Sequence, residues 1–335
     1  MRLMFFLGML LLSSLTQAKT DVLFLNPGSS DESFWGDVDS LLVAAAIRFD
    51  MEVETLHSNR NHFDMIRQAN EVAQRPDLPP YVFLVNEKQS GLRMLDAFYH
   101  KPVYVQFVLN DISPAERQTL LQDPHWHQYL LPPVVPDNRT IGFETAGALV
   151  QGLGGKDIQV VLVSGDKSTP ASVERTEGAL AALQSMAEVS TEQTVYGQWQ
   201  ENKAYQQAQV LLQRYPGLDA IWTANDHMAF GVIRAMKEKR LAPGKKIRIA
   251  TINTSAEVLA LRREGAINVL GGGHFLAGGV ALSNVKQHMD TGSYPTIHYS
   301  LFRLLEPDTE FFIALERRDW ELLLDIALTR NDAPD

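Results

Sequence analysis

Short apolar runs alternate with stretches of helical periodicity along this chain, and the alternation occurs twice, on either side of a proline-rich interruption. In the first block, residues 21–25 (DVLFL), 51–56, 81–86 (YVFLVN) and 103–107 (VYVQF) read as buried strands. Helices are predicted between them over 33–49, 61–73 and 91–99, the first placing Val38, Leu41, Leu42, Ala45 and Phe49 on one face. Residues 108–138 carry Pro114, Pro124, Pro132, Pro133 and Pro136 and are expected to form an irregular insertion with one short helix. The rhythm then restarts, with strands at 158–164, 189–196, 218–224, 247–252 and 267–270, and helices at 172–187, 202–215 and from 225 or 226. Strand–helix alternation implies parallel sheets with helices on both faces, hence an α/β fold. The break midway implies two open sheets instead of one closed barrel. Ligands belong at the carboxyl ends of parallel strands, so a cleft between two such sheets is the expected site.

Charge and cysteine content narrow the chemistry. The 335 residues hold 30 Lys and Arg against 40 Asp and Glu, a net charge of −10, which does not suit a nucleic-acid-binding surface. With no cysteine there is no disulfide, thiolate metal site or thiol nucleophile. Residues 1–18 have the pattern of a cleaved export signal: Arg2, an apolar run over 3–15 that is too short to span a bilayer, and a small residue at Ala18. Export without a lipidated cysteine implies a periplasmic destination.

Aromatic side chains gather at the predicted strand ends. Phe34 and Trp35 follow the first strand, Phe107 ends the fourth, and Trp199 follows the strand at 189–196. An aromatic ring offers a flat apolar face suited to the C–H face of a sugar ring. Core packing is the alternative for each, and for Trp222 the preferred one. Beside them stand Asn86, Arg175, Asn225 and Asn253, whose amides and forked guanidinium suit hydroxyl recognition. Helix capping is the alternative for Asn225 and Asp226 and is preferred for Asp226. The run 271–273 (GGG) before His274 reads as a hinge crossover, since it lacks the spacing of a phosphate loop. His125 and His127 have no carboxylate at ligand spacing, and G-x-S-x-G and H-E-x-x-H are missing. No metal, cofactor or catalytic set is therefore expected.

The segments NPGSSDESFW (26–35), SGDKSTPASVERTEG (164–178), DAIWTANDHMAFGVIRAM (219–236) and IRIATINTS (247–255) resemble the type I periplasmic sugar-binding proteins, the ribose-binding-protein-like solute receptors of ABC transporters. The resemblance spans residues 20–305 and is nearest to a subgroup opening with an N-P-G…E-x-F-W signature. It implies two Rossmann-like lobes with parallel sheets flanked by helices, joined by three hinge crossovers. The implied first lobe is 19–143 with 274–305, and the second 144–273 with 306–335. Carried over, the stacking aromatics fall on Phe34, Trp35 and Trp199, and the polar ligand contacts on Asn86, Arg175, Asn225 and Asn253. The chain departs from ribose receptors where Phe107 and Asn253 replace acids, Glu32 replaces an asparagine, and Gly273 beside His274 replaces a glutamine. A related class that binds the furanosyl signal autoinducer-2 uses two arginines, of which only Arg175 is matched.

The resemblance implies a monomeric, non-enzymatic receptor that captures a sugar or sugar-like small molecule for the membrane permease of an ABC importer. Presentation to a membrane sensor kinase or cyclic-nucleotide enzyme is the alternative. A secreted enzyme would need a nucleophile–base set, and a sugar-responsive repressor would need a DNA-binding helix pair where the export signal stands.

Overall fold

The computed structural model describes residues 20–154, 157–295 and 299–329, so the expected export signal lies outside the described residues. The first lobe is built on β1 (Val22–Asn26), α1 (Ser33–Phe49), β2 (Val53–His57), α2 (His62–Val72), β3 (Tyr81–Leu84), α3 (Gly91–Phe98) and β4 (Tyr104–Phe107). Its strands pair in parallel in the order β2-β1-β3-β4. β1 and β3 are buried along their whole length, as continuous apolar runs covered on both faces must be.

The proline-rich insertion holds two short helices, α4 (Pro114–Leu120) and α5 (Pro124–Tyr129), where one was expected. Each starts with a proline at a position whose N–H has no helical partner, and each is capped, by Ser113 and Asp123 respectively. The chain then returns beside β4 through parallel bridges Val105–Leu130 and Val108–Val134. The insertion thus covers the open edge of the first sheet.

The second lobe runs α6 (Asn138–Val150), β5 (Ile158–Ser164), α7 (Pro170–Gln184), β6 (Val189–Tyr196), α8 (Glu201–Arg214), β7 (Ala220–Thr223), α9 (Asp226–Glu238), β8 (Arg248–Ile252), α10 (Ala256–Arg263) and β9 (Val269–Gly272). Its parallel strands lie in the order β9-β8-β7-β5-β6, so both sheets reverse direction beside their first strand, the arrangement that opens a binding crevice. α6 was not predicted, because Gly142 and Thr145 interrupt the apolar face made by Ile141 and Leu149. Those small residues have a purpose. A Cβ on Gly142 would lie 1.9 Å from the Arg175 carbonyl oxygen, and one on Gly178 would lie 1.9 Å from that of Arg139. α6 and α7 therefore touch backbone to backbone. Trp222 is fully buried, as expected, and donates to Thr145 Oγ1 at 2.9 Å.

From β9 the chain crosses back through Gly273, at φ 103°, into α11 (Ala277–Thr291), which packs on α1. It then returns as β10 (Arg303–Leu304), antiparallel to β9 in the second sheet, and continues into α12 (Glu310–Arg317) and α13 (Trp320–Leu328). Two boundaries need correction here. Residues 303–304 belong to the second sheet, not to the first lobe. Helix α13 packs on α1 and α11 of the first lobe, not on the second. Its apolar face, Leu323 and Leu324, requires a partner, and Leu324 sits over Gly279 and beside Leu41. The chain therefore passes between the lobes a fourth time.

Candidate functional site

The carboxyl ends of both sheets face one cleft, and the lobes meet across it. Ser33 Oγ lies 3.3 Å from His227 Nε2, and the Ala171 N–H donates to Asn110 Oδ1 at 3.0 Å. Behind the cleft, buried Asp37 on α1 accepts from Thr254 Oγ1 at 2.8 Å and from Arg318 Nη1 of the returning tail at 2.8 Å. These ties draw the lobes together over a small, partly open pocket.

The first lobe supplies an aromatic wall. Phe34 and Trp35 stand in the first turn of α1, edge to face at 5.1 Å. Phe34 stacks on His274 at 4.6 Å, and Arg60 lies over the Trp35 ring at 5.6 Å. Trp35 is 3% exposed, yet its Nε1 has no partner among the described residues. Arg60 donates from Nε to Glu32 at 2.9 Å, forms a second close bond to the same carboxylate, and stands 3.6 Å from Glu87. Burial pushes the Glu87 carboxyl up, against the pull of Arg60.

The opposite wall comes from the second lobe. Trp199 adopts φ 62°, a left-handed conformation that turns its ring into the cleft, and its Nε1 donates to Asp166 Oδ2 at 2.8 Å. Burial alone would raise the Asp166 carboxyl, but donors from Thr169, Ser168 and Trp199 hold it below the usual carboxylate range. Arg175, in the second turn of α7, is 5% exposed. Its Nε donates to Asn138 Oδ1 at 2.9 Å and its Nη1 to the Ala224 carbonyl at 3.2 Å. Burial lowers its pKa to about 10, with only Glu174 opposing. His274 is buried with Nδ1 unpartnered among the described residues, and burial followed by the nearby Arg175 charge keeps its ring neutral.

Seven of the nine sequence-predicted residues line the cavity: Phe34, Trp35, Arg175, Trp199, Asn225, Asn253 and His274. Two do not. Asn86 is spent on structure, its Oδ1 accepting from Gly91 N at 2.8 Å and its Nδ2 donating to the Asp111 carbonyl at 2.9 Å. Phe107 is fully buried beneath Arg117, inside the first lobe. The capping assignment is also reversed. Asn225 caps α9 through Met228 N at 3.0 Å, while Asp226 lies inside the helix and accepts from Asn253 Nδ2 at 2.8 Å. Asn225 still borders the cavity, with Nδ2 3.4 Å from the Trp199 carbonyl. Arg60, Glu87, Asn110 and Thr169 also line it and were not anticipated. Arg60 and Glu87 lie just beyond β2 and β3, so taking every charged residue at a strand's carboxyl end would have found them.

Flat aromatic faces from both lobes, with donors and acceptors around their rims, form a compartment for a small ring bearing hydroxyl groups. A family model described as "Periplasmic binding protein domain" matches residues 132–292. Over 103 residues the chain is 30% identical to the D-allose-binding periplasmic protein of Escherichia coli (strain K12), a match covering 31% of this chain and 33% of that relative. The match thus spans about a third of the curated relative's length. A periplasmic sugar-binding protein from Pseudomonas fluorescens is 30% identical, with 91% of this chain and 92% of that one covered at a TM-score of 0.82. The Caulobacter myo-inositol binding protein, bound to myo-inositol, shares the fold at 18% identity and a TM-score of 0.72, over 90% of this chain and 96% of that one.

Proposed function

The chain belongs to the periplasmic binding proteins, and on that premise we propose that it is a receptor that closes its lobes over a sugar or sugar-like solute and passes it to the membrane permease of an ABC importer. The observation that carries this reading is the pocket between the lobes, whose aromatic plates and polar groups come from both of them. Phe34 and Trp35 form one face and Trp199 the other, while Arg175, Asn225 and Asn253 supply polar contacts at the rim. Neither lobe alone offers a complete set, so a ligand that touches both favours the closed state by its differential affinity. The relatives support the ligand class: a protein named for binding D-allose is similar in sequence, and proteins named for binding a sugar and myo-inositol share this fold.

Delivery to a permease requires the receptor outside the inner membrane, which the pattern of residues 1–18 supports. The test is a thermal-shift screen of purified protein against sugars and polyols, followed by mass spectrometry of any compound that co-purifies. A true ligand at a hundredfold excess over its Kd is expected to stabilise the protein by about 2.7 kcal/mol. A panel of sugars and polyols in which none moves the transition refutes the proposal.

A further inference from the structure

Arg175 is a buried charge of the cavity with no carboxylate in direct contact among the described residues. The residue is 5% exposed, and its guanidinium's hydrogen-bond partners are an amide oxygen of Asn138 and the carbonyl of Ala224, both neutral. Among the described residues no carboxylate pairs with it. Glu174, beside it in sequence, favours the cation by its charge and bonds to Asn138, but it borders a different groove and does not touch the guanidinium. A buried cation without a partner is costly, and the cost is removed when a carboxylate meets it with bidentate geometry.

The carboxylates near the cavity face groups other than Arg175, although Glu87 Oε1 and Asp226 Oδ2 have no hydrogen-bond partner among the described residues. Glu32 is held by Arg60 through two bonds. Asp166 accepts from Ser168 N, Thr169 N, Thr169 Oγ1 and Trp199 Nε1. Glu87 faces Arg60. Asp226 accepts from Asn253 and lies outside the cavity lining. Near Arg175 the cavity instead offers the neutral His274 ring.

We infer that the ligand is a hydroxylated acid, a sugar ring or open-chain polyol bearing one carboxylate, and that Arg175 is the residue that selects it. This deepens the proposed sugar-receptor reading and rests on it. In this arrangement the carboxylate lies against Arg175, and the carbon frame lies between Trp199 and the Phe34–Trp35 wall. A neutral sugar in the same place leaves the guanidinium charge buried and unbalanced.

The experiment compares matched pairs by calorimetry and thermal shift: D-glucuronate with D-glucose, D-galacturonate with D-galactose, and D-gluconate with D-glucitol. At least one acid is expected to bind ten times or more tightly than its neutral parent. Arg175→Gln is expected to abolish that preference, and Arg175→Lys to retain part of it. Circular dichroism of each variant checks that it is folded. If it is not, the wild-type comparison alone decides. Neutral parents that bind as tightly as the acids overturn the inference and leave the sugar-receptor reading standing. Silence from both members of every pair overturns the reading and the inference together.

Discussion

One residue change tests how the second lobe positions its arginine. In Gly142→Ala the new methyl would lie 1.9 Å from the Arg175 carbonyl oxygen, 2.7 Å from its carbonyl carbon and 2.9 Å from its Cα. Ordinary non-bonded carbon contacts are about 3.5 Å, so α6 and α7 must part by about 1 Å or more. The obstructing atoms are backbone in the middle of a helix, and no rotamer change relieves them. Overpacking of this kind costs about 3 kcal/mol, the upper end of its usual range. Alanine recovers about 1 kcal/mol of helix propensity over glycine. The balance is a loss of roughly 2 kcal/mol, or roughly 4 °C in the melting temperature.

The same substitution five residues on is the control. Nothing lies within 4 Å of a Cβ at Gly147, in the same helix and without a positive φ, so Gly147→Ala should gain up to about 1 kcal/mol. Urea denaturation of the two variants beside wild type reads both signs. Ligand titration reads the second consequence: moving α6 also moves Asn138 away from Arg175 Nε, so Gly142→Ala should bind more weakly than its loss of stability alone explains. A Gly142→Ala protein as stable as wild type, or a destabilised Gly147→Ala, would refute the backbone-contact argument.

Three further outcomes follow from the same contacts. Trp199→Ala removes one aromatic face and should weaken ligand binding by about 2 kcal/mol, roughly thirtyfold in Kd; Trp199→Phe, which keeps a ring and loses only the N–H to Asp166, should weaken it less, and equal losses would count against stacking. Burial pushes the Asp37 carboxyl up to about 6, although Arg318 and Thr254 both favour its charge. Because the folded state then favours the protonated form, wild type should lose on the order of 2 kcal/mol relative to Asp37→Asn as pH rises from about 4 to about 6. Parallel stability profiles for the two proteins would contradict that assignment. Truncation after Leu305 removes α12 and α13, uncovers Leu41 and Gly279, and takes Arg318 from Asp37. It should lower the midpoint of unfolding and raise binding of a hydrophobic dye, and an unchanged midpoint would show that the returning tail is dispensable.

Read as a sequence, the chain already determines its α/β class, the parallel strands of both sheets and most of the side chains at their carboxyl ends. Those features are local: an apolar run of a few residues makes a strand wherever both faces are covered, and the residue after it must emerge at the sheet's end. Phe34, Trp35, Trp199 and Arg175 were legible for that reason. What only the tertiary structure decided is which of the neighbouring polar groups remain free to meet a ligand. Asn86 is consumed by Gly91 and by the Asp111 carbonyl brought from the next loop, so Glu87 and Arg60 border the cavity in its place. The returning tail was hidden for the same kind of reason, since Arg318 meets Asp37 across 281 residues of chain. A side chain's hydrogen-bonding capacity is small and is filled by whichever groups folding places within about 3 Å of it, a matter of three-dimensional proximity that spacing along the chain does not carry.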